Sequence, residues 1–263
     1  MPAQWKKMHE GITDYLEIMR LAGVSEVKRE IPSTAPKMLT AALPDEAAAV
    51  DVPTAPEPVP ASRLNEPECR PNGVLTKVEQ LHNLAEEVAR CTRCRDLASS
   101  RTQTVFGTGN PDSALVFLGE APGADEDKQG EPFVGRAGQL LNDIITKGMK
   151  LRREDVYICN ILRCRPPGNR NPMPDEAEHC RPFLDRTLEI IQPKFICCLG
   201  AVAAKSLLAS EKTIGALRGN VWKHNGLKVI CTYHPAYLLR NPAAKKDTWE
   251  DIQLLMREMS GND

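Results

Sequence analysis

Four short apolar runs, each leading through a polar loop into an amphipathic stretch, constrain the fold more than any other feature of this sequence. The apolar runs predict buried strands near residues 114–118, 156–160, 195–199 and 228–232. The amphipathic stretches predict helices near residues 137–149, 175–191, 201–208 and 243–259. Strands that alternate with helices form a mainly parallel sheet with helices on both faces. We therefore expect an α/β fold with three α/β/α layers around a central, mainly parallel four-stranded sheet.

Shorter signals add detail to this pattern. A helix is expected from about Leu75 to Arg90, with four apolar residues on one face: Val78, Leu81, Leu84 and Val88. Pro174 fixes φ at a helix start, and the two acidic residues after it favour the positive end of the helix dipole. Asn225-Gly226 lies between two strand-like runs and predicts a hairpin turn.

The connection between the first strand and its helix is unusually long, rich in glycine and acidic. It leaves the strand at Leu118 and enters the helix at about Ala137. A strand, a loop and a helix in this order place the loop at the carboxyl edge of the sheet, where open α/β proteins bind ligands. The loop also carries an aromatic residue of the kind usually buried, Phe133, which a simple connector does not need. The sequence therefore predicts a ligand site at this edge.

The domain organisation follows from a change in composition before residue 75. Residues 1–30 are predicted to form an amphipathic helical segment whose apolar residues recur three and four positions apart: Trp5, Met8, Ile12, Leu16 and Met19. This helix would either pack on the chain's own domain or dock on a partner protein. Residues 31–74 are rich in proline and alanine and predict a disordered linker. Residues 75–263 then form the α/β domain.

Charge and hydropathy exclude several classes of protein. The net charge of -1 over 263 residues excludes a strongly basic, histone-like binder, although a local basic surface is compatible with it. No apolar run approaches the roughly 18 residues that a membrane span requires. The N-terminus lacks the apolar core of a signal peptide. We expect a cytoplasmic, monomeric protein that does not act at a membrane.

Nine cysteines are many for a chain in a reducing compartment, where disulfides are rare. Four of them lie in apolar strand-like runs and are expected to be core residues: Cys159, Cys197, Cys198 and Cys231. Cys69 lies in the linker. The other four are candidate metal ligands: Cys91, Cys94, Cys164 and Cys180.

Four thiolates can bind a structural zinc ion or a [4Fe–4S] cluster. Only Cys91 and Cys94 form a tight two-ligand clamp, whereas a zinc ribbon usually has two, so the spacing favours iron–sulfur without deciding it. The third possibility is that the four cysteines are unrelated and bind no metal. Six arginines surround these cysteines and suit a phosphate backbone, unless they merely form a solvated surface: Arg93, Arg95, Arg163, Arg165, Arg170 and Arg181.

Three residues at the predicted edge together describe a pocket for a nucleic-acid base that has flipped out of its double helix. Asn160 ends the second strand and offers one acceptor and two donors, which complement the edge of a base, although an Asn here is often only a turn former. His234 precedes a proline and should project from the last strand, either as a donor or as a structural cap. Phe133 lies in a loop shaped by neighbouring glycines and proline, and is either a stacking platform or core.

Four motifs resemble the family 4 uracil-DNA glycosylases, the bacterial and archaeal type with an iron–sulfur cluster, over roughly residues 80 to 258. They are Gly119-Glu-Ala-Pro-Gly123, Gly130-Glu-Pro-Phe-Val-Gly135, Asn160-Ile-Leu-Arg-Cys-Arg-Pro-Pro-Gly-Asn-Arg170 and His234-Pro-Ala-Tyr-Leu-Leu-Arg240. The resemblance implies excision of uracil from DNA by hydrolysis of the N-glycosidic bond after base flipping. It also implies that the four candidate cysteines bind a [4Fe–4S] cluster.

The resemblance assigns roles to individual residues. Gly119, Glu120 and Ala121 would line the uracil, partly through backbone groups. Phe133 would stack on the base, Asn160 would pair with its polar edge, and His234 would donate to the oxygen that gains charge as the base leaves. The implied catalytic residues are His234, Glu120 and Asn160. The implied substrate-binding residues are Gly119, Glu120, Ala121, Glu126, Phe133, Asn160, Asn169, His234, Leu238 and Arg240.

Two of these positions carry a further expectation. Glu126 matches an acidic residue of the family that is associated with the pocket and with exclusion of a 5-methyl group. Ala121 stands where many family members have glycine and where related families have a catalytic aspartate, which leaves water activation at that position open. Glu120 is the best acid for positioning water, although a dissociative route needs no strong base.

The loop from Ala236 to Arg240 is a candidate wedge that fills the space left by the base. Tyr237 or Leu238 would be the inserted side chain, although a leucine there could equally belong to the core. The alternative function is a non-catalytic iron–sulfur module that binds nucleic acid, associated with a polymerase or sensing uracil.

Overall fold

The computed structural model describes residues 75–261. The predicted helical segment 1–30 and the linker 31–74 lie outside the described residues. Within 75–261, no helix is long and apolar enough to span a membrane.

A six-stranded sheet lies at the centre of the described part, in the order β1-β3-β2-β4-β6-β5. The strands are β1 Thr108–Gly109, β2 Leu115–Gly119, β3 Tyr157–Asn160, β4 Phe195–Leu199, β5 Val221–His224 and β6 Leu227–Thr232. The four inner strands are parallel, which confirms the predicted sheet. The two edge strands are antiparallel additions.

The two edge strands differ in how visible they are in the sequence. β5 joins β6 through Asn225 and Gly226, which have φ of 48° and 83°, as the predicted two-residue hairpin requires. β1 is only two residues long, so it has no alternating pattern that a sequence reading could detect. The predicted four-stranded sheet therefore lacks the two edge strands, β1 and β5.

Nine α-helices surround the sheet in the described part. They are α1 Lys77–Ala89, α2 Arg95–Ser100, α3 Ala124–Gln129, α4 Arg136–Asp143, α5 Pro174–Ile191, α6 Ala201–Leu208, α7 Ile214–Leu217, α8 Pro235–Arg240 and α9 Lys245–Met259. A π-helical turn, Ile144–Gly148, extends α4, so that the two together cover the helix predicted near 137–149. The short helices α3 and α8 lie where only loops were predicted.

Helices cover both faces of the sheet, which confirms the three layers. Alternate residues of the inner strands enter two separate apolar cores. Leu118 and Cys198 belong to one core, together with α5 and α6. Phe117 and Cys197 belong to the other, together with α4 and α9. The four cysteines predicted to be core residues are each 0% exposed, so that prediction is confirmed.

Helix α1 packs on α5 through a small third core. A capping box between Thr76 and Glu79 starts the helix. Leu84 and Val88 then pack with Phe183 of α5. Val78, which was predicted on the same face, is 64% exposed, because the buried contacts of α1 begin only at Leu81.

Candidate active site and cysteine cluster

A cavity of about 380 Å³ opens at the carboxyl ends of β2, β3 and β6, where the long loop was predicted to form a ligand site. It brings together residues that are far apart in the sequence. Its lining consists of Glu120, Ala121, Pro122, Gly123, Glu126, Phe133, Ala137, Asn160, Pro166, Asn169, Arg170, Asn171, His234, Ala236, Tyr237 and Arg240.

Phe133 forms an apolar wall of this cavity. Its ring is 6% exposed, and its backbone has a φ of 55°, which is uncommon for a residue with a side chain. Gly138 of α4 permits the close approach of the Phe133 backbone, because a Cβ at position 138 would lie 1.9 Å from the Phe133 carbonyl oxygen. The ring centroid lies 5.6 Å from that of His234. Phe133 and His234 therefore face the same small space.

Glu126 holds the loop around Phe133 in shape. One carboxylate oxygen accepts hydrogen bonds from the Val134 and Gly135 N–H groups, both at 3.0 Å. The other oxygen accepts from the Gly123 N–H at 3.1 Å. Glu126 lines the cavity as well, but these bonds use its carboxylate to brace the loop.

Asn160 presents an unpaired polar group beside the Phe133 ring. The residue is 2% exposed, and its Oδ1 atom has no hydrogen-bond partner. Buried polar atoms are usually paired, so Asn160 Oδ1 is free to accept a hydrogen bond from a ligand in the cavity. Gly119 makes room for both groups, because a Cβ there would lie 2.3 Å from Asn160 Oδ1 and 2.6 Å from the Phe133 ring. Gly119 thus shapes the cavity from beneath rather than lining it.

His234 caps the N-terminus of α8 and also lines the cavity. Its Nδ1 atom accepts a hydrogen bond from the Ala236 N–H at 3.1 Å. An acceptor role for Nδ1 assigns the ring proton to Nε2, which is then a donor. Burial lowers the pKa of His234 to about 4, with a further lowering by the charge of Arg240. The ring is therefore neutral at pH 7.

Glu120 lines the cavity next to Gly119. It is partly exposed, and burial raises the pKa of its carboxyl group above the ordinary value. Its backbone oxygen accepts a hydrogen bond from Leu162 N–H at 3.0 Å, which fixes the loop as it leaves the sheet. Ala121, the next residue, also lines the cavity and packs against the apolar core that contains Leu118.

The rim of the cavity is formed by the loop after β3 and by α8. Asn169 and Arg240 both lie there, and Asn169 accepts a hydrogen bond from Arg165 at 2.7 Å. Tyr237 is 39% exposed on the same rim. Leu238 is only 1% exposed and does not line the cavity, so its expected contact with substrate does not fit the structure. The reason is that consecutive residues of α8 point to different sides.

Several lining residues were missed by the sequence reading: Pro122, Gly123, Ala137, Pro166 and Asn171. Arg170 was assigned only to phosphate contacts. It forms a two-bond ion pair with Glu176, at 2.6 and 2.9 Å, which ties the loop after β3 to the first turn of α5. Arg170 and the missed residues other than Ala137 lie inside the four family-like motifs or directly after one of them. Membership of a motif was therefore the signal that could have identified them.

The four candidate cysteines come from three separate segments. Cys91 follows α1, Cys94 caps α2, Cys164 follows β3 and Cys180 lies in α5. Burial raises the pKa of Cys94 to about 11, and the Cys180 thiolate, the Glu176 carboxylate and the Cys164 and Cys91 thiolates contribute, so the four cysteines share one neighbourhood.

The surroundings of these cysteines bear on the kind of metal group that they could hold. Among residues 75–261, no three His, Cys, Asp or Glu side chains are arranged to hold a single metal ion. A four-iron cluster is larger than one ion and needs ligands that are further apart. Arg101 donates a hydrogen bond to Cys164 Sγ at 3.0 Å, which suits a thiolate. Four thiolates are a ligand set that a structural zinc ion or a [4Fe–4S] cluster can use.

One of the six arginines does not have the predicted role. Arg163 is 1% exposed and lies over the Phe106 ring, with 5.2 Å from its guanidinium carbon to the ring centroid. It also donates to the Phe106 carbonyl oxygen at 2.6 Å and to Thr187 Oγ1 at 3.1 Å. Arg163 is a core residue and cannot reach a phosphate. Residues 156–164 are all buried, so the segment that follows β3 stays in the interior as far as Cys164.

Comparison with known proteins gives consistent matches. Residues 106–253 match the family model described as the uracil DNA glycosylase superfamily. A type-4 uracil-DNA glycosylase of Thermotoga maritima is 46% identical over 183 residues, which are 68% of this chain and 94% of that protein. A type-4 enzyme of Archaeoglobus fulgidus is 43% identical over 184 residues, 67% of this chain and 92% of its own length.

A third relative, the type-4 uracil-DNA glycosylase of Sulfurisphaera tokodaii, is 41% identical over 191 residues, 70% of this chain and 86% of that protein. The family match spans the strands, the long loop and the helices that build the cavity. By these matches, this chain belongs to the type-4 uracil-DNA glycosylases of the uracil DNA glycosylase superfamily.

Proposed function

We propose that this chain is a DNA repair enzyme that excises uracil from DNA by hydrolysing the N-glycosidic bond and leaves an abasic site. The observation that carries the proposal is the cavity. It combines an apolar ring, an unpaired amide oxygen and a neutral histidine donor within one small space. A flipped base requires stacking, edge hydrogen bonds and a donor where charge develops.

Phe133 and Asn160 would bind the base. The Phe133 ring offers a flat apolar surface for stacking. Asn160 Oδ1 would accept a hydrogen bond from a ring N–H of uracil, and its amide N–H₂ group would donate to a carbonyl oxygen. Both side chains are buried before substrate arrives, so little ordering cost remains at binding.

His234 would act on the leaving group. Uracil departs as an anion, so its oxygen gains negative charge as the glycosidic bond breaks. A neutral imidazole whose Nε2 carries the proton can donate a hydrogen bond to that oxygen without transferring the proton. The Ala236 N–H holds the other nitrogen and thereby fixes the ring.

Glu120 would position the water that attacks the sugar. Its raised pKa reflects burial at the cavity, and Ala121 beside it has no group that binds water. An oxocarbenium-like sugar reacts readily with a weak nucleophile, so orientation matters more than base strength here. Glu126 would contribute indirectly, because its carboxylate holds the loop that carries Phe133.

Tyr237 is our candidate for the residue that fills the space left by the base, in place of Leu238. It is exposed on the cavity rim, whereas Leu238 is buried. Arg240 and Asn169 lie on the same rim and would contact the DNA backbone near the flipped nucleotide.

We also propose that the four cysteines hold a [4Fe–4S] cluster with a structural role. Cys91, Cys94, Cys164 and Cys180 would be its ligands, and their bonds to iron would join the end of α1, the start of α2, the segment after β3 and α5. That segment leads into the cavity rim at Asn169 and Arg170. A brown protein sample that absorbs at about 400 nm would support the presence of the iron–sulfur cluster.

The proposed function is tested with an oligonucleotide that contains one uracil. Excision followed by alkali at the abasic site should give two shorter fragments on a gel. A matched oligonucleotide with thymine at that position is the control. Binding of the uracil strand without fragments would support the alternative, a non-catalytic module. The cytoplasmic location, the monomeric state and a replication or repair protein as the partner of segment 1–30 stay predictions.

A further inference from the structure

A buried carboxylate behind the site joins three segments of the chain. Asp251 of α9 is 0% exposed and accepts hydrogen bonds from Thr232 Oγ1 at 2.8 Å, Arg218 Nε at 3.0 Å and the Gly219 N–H at 3.0 Å. A buried charge is tolerated only with such partners. Thr232 ends β6, two residues before His234, so the network fixes the strand end that enters the site.

The same network orients a guanidinium group. Arg218 has a side chain that is 18% exposed, and it also donates to the Asp247 carbonyl oxygen. Its guanidinium carbon lies 5.5 Å from the centroid of the Tyr233 ring. Arg218 is therefore held between α9 and an aromatic ring, and has little freedom to move.

The Tyr233 ring in turn stacks on Tyr237. Their centroids are 5.0 Å apart and the planes are inclined by 27°. Tyr233 does not line the cavity, whereas Tyr237 does. The contacts thus form a continuous series from the buried Asp251 through Arg218 and Tyr233 to an exposed ring on the rim.

We propose that Arg218 and Tyr233 are positioning residues that hold Tyr237 rigid on the cavity rim, ready to occupy the space that the flipped base leaves. This inference rests on the proposed function. The physical reason is pre-organisation, because an exposed tyrosine on a six-residue helix would otherwise lose rotamer freedom on meeting DNA. The stack removes that freedom in advance.

The test is a double-mutant cycle on a duplex oligonucleotide with one uracil, read as single-turnover excision rate. Tyr233→Leu removes the stack, Tyr233→Phe keeps the ring, and Tyr237→Ala removes the supported side chain. Aromatic contacts of the usual size predict that Tyr233→Leu slows excision by about three- to tenfold, while Tyr233→Phe retains most of the rate. In the Tyr237→Ala background, Tyr233→Leu should have almost no further effect.

Equal losses in both backgrounds would overturn the inference, because Tyr233 would then act by another route. No loss in Tyr237→Ala alone would overturn it as well. Thermal unfolding of each variant identifies one that fails to fold. Arg218→Lys is the second variant, because it keeps a positive charge near Asp251 but loses the planar guanidinium group. Its control is Arg186→Lys, which changes an arginine that pairs with Glu87 on the surface between α1 and α5. Absence of excision by the wild-type protein would instead refute the proposed function.

Discussion

At the scale of single residues, the proposed chemistry depends on the protonation of His234. The pKa of an ordinary histidine is near 6.5, and burial lowers that of His234 to about 4. The neutral donor form should therefore persist as the pH falls through 6.5, and should be lost only as the pH approaches 4. Burial raises the pKa of Glu120, so its titration must be separated from that of His234.

We expect the single-turnover excision rate to show no His234-dependent step near pH 6.5. The measurement is a pH–rate profile from pH 8 to 4.5, recorded for the wild type and for Glu120→Gln, which removes the carboxylate titration. A halving of the rate near pH 6.5 in both proteins would mean that His234 titrates normally, and would contradict the neutral-donor account.

A second residue-scale prediction concerns Gly119. Gly119→Ala would place a methyl group 2.3 Å from Asn160 Oδ1 and 2.6 Å from the Phe133 ring, so both must move. Displacement of binding groups by about 1 Å costs roughly 10²-fold in rate. Gly215→Ala is the control, because its nearest neighbour, Thr213 Oγ1, is 4.0 Å away. Equal excision rates for the two variants would contradict this account of the cavity.

Residue types at strand ends were enough to predict part of the site. Asn160 and His234 follow apolar runs, so a parallel sheet must bring them to one edge. The bracing by Glu126 and the burial of Leu238 and Arg163 could not be predicted in the same way. They depend on how a short loop folds back and on which face of a six-residue helix meets the core, and neither leaves a periodic pattern.

At the scale of elements, the proposed cluster connects helices to the rim of the cavity. Cys180 lies in α5, the helix that also receives the ion pair from Arg170 through Glu176. Loss of one ligand should weaken both the metal site and this connection. The four inner strands and the long helices were predicted correctly because continuous apolar runs and amphipathic periodicity mark them, whereas α3 and α8 are too short for such periodicity.

We predict that Cys180→Ser loses most of its iron, from about four atoms per chain, and unfolds at a lower temperature. Iron analysis, absorbance and thermal unfolding measure this together. Cys198→Ala is the control, because Cys198 lies in the buried strand β4 and belongs to the apolar core. Full iron content in Cys180→Ser would exclude Cys180 as a ligand.

At the scale of the whole molecule, the described residues 75–261 contain the sheet, the three apolar cores and the cavity. The type-4 relative of Thermotoga maritima aligns over 94% of its own length but over only 68% of this chain. We therefore expect that removal of residues 1–74 leaves excision from a short oligonucleotide unchanged. An unfolded or inactive truncated protein would show that the N-terminal segments belong to the catalytic domain.

The most direct test of the account compares His234→Ala with the wild type on a duplex that contains one uracil. Removal of one pre-organised donor should lower single-turnover excision by about 10²–10³-fold, while binding of the uracil duplex is largely kept. His82→Ala, which changes a histidine on the exposed face of α1, should excise at the wild-type rate. Excision by His234→Ala at a rate close to that of the wild type would contradict the central claim.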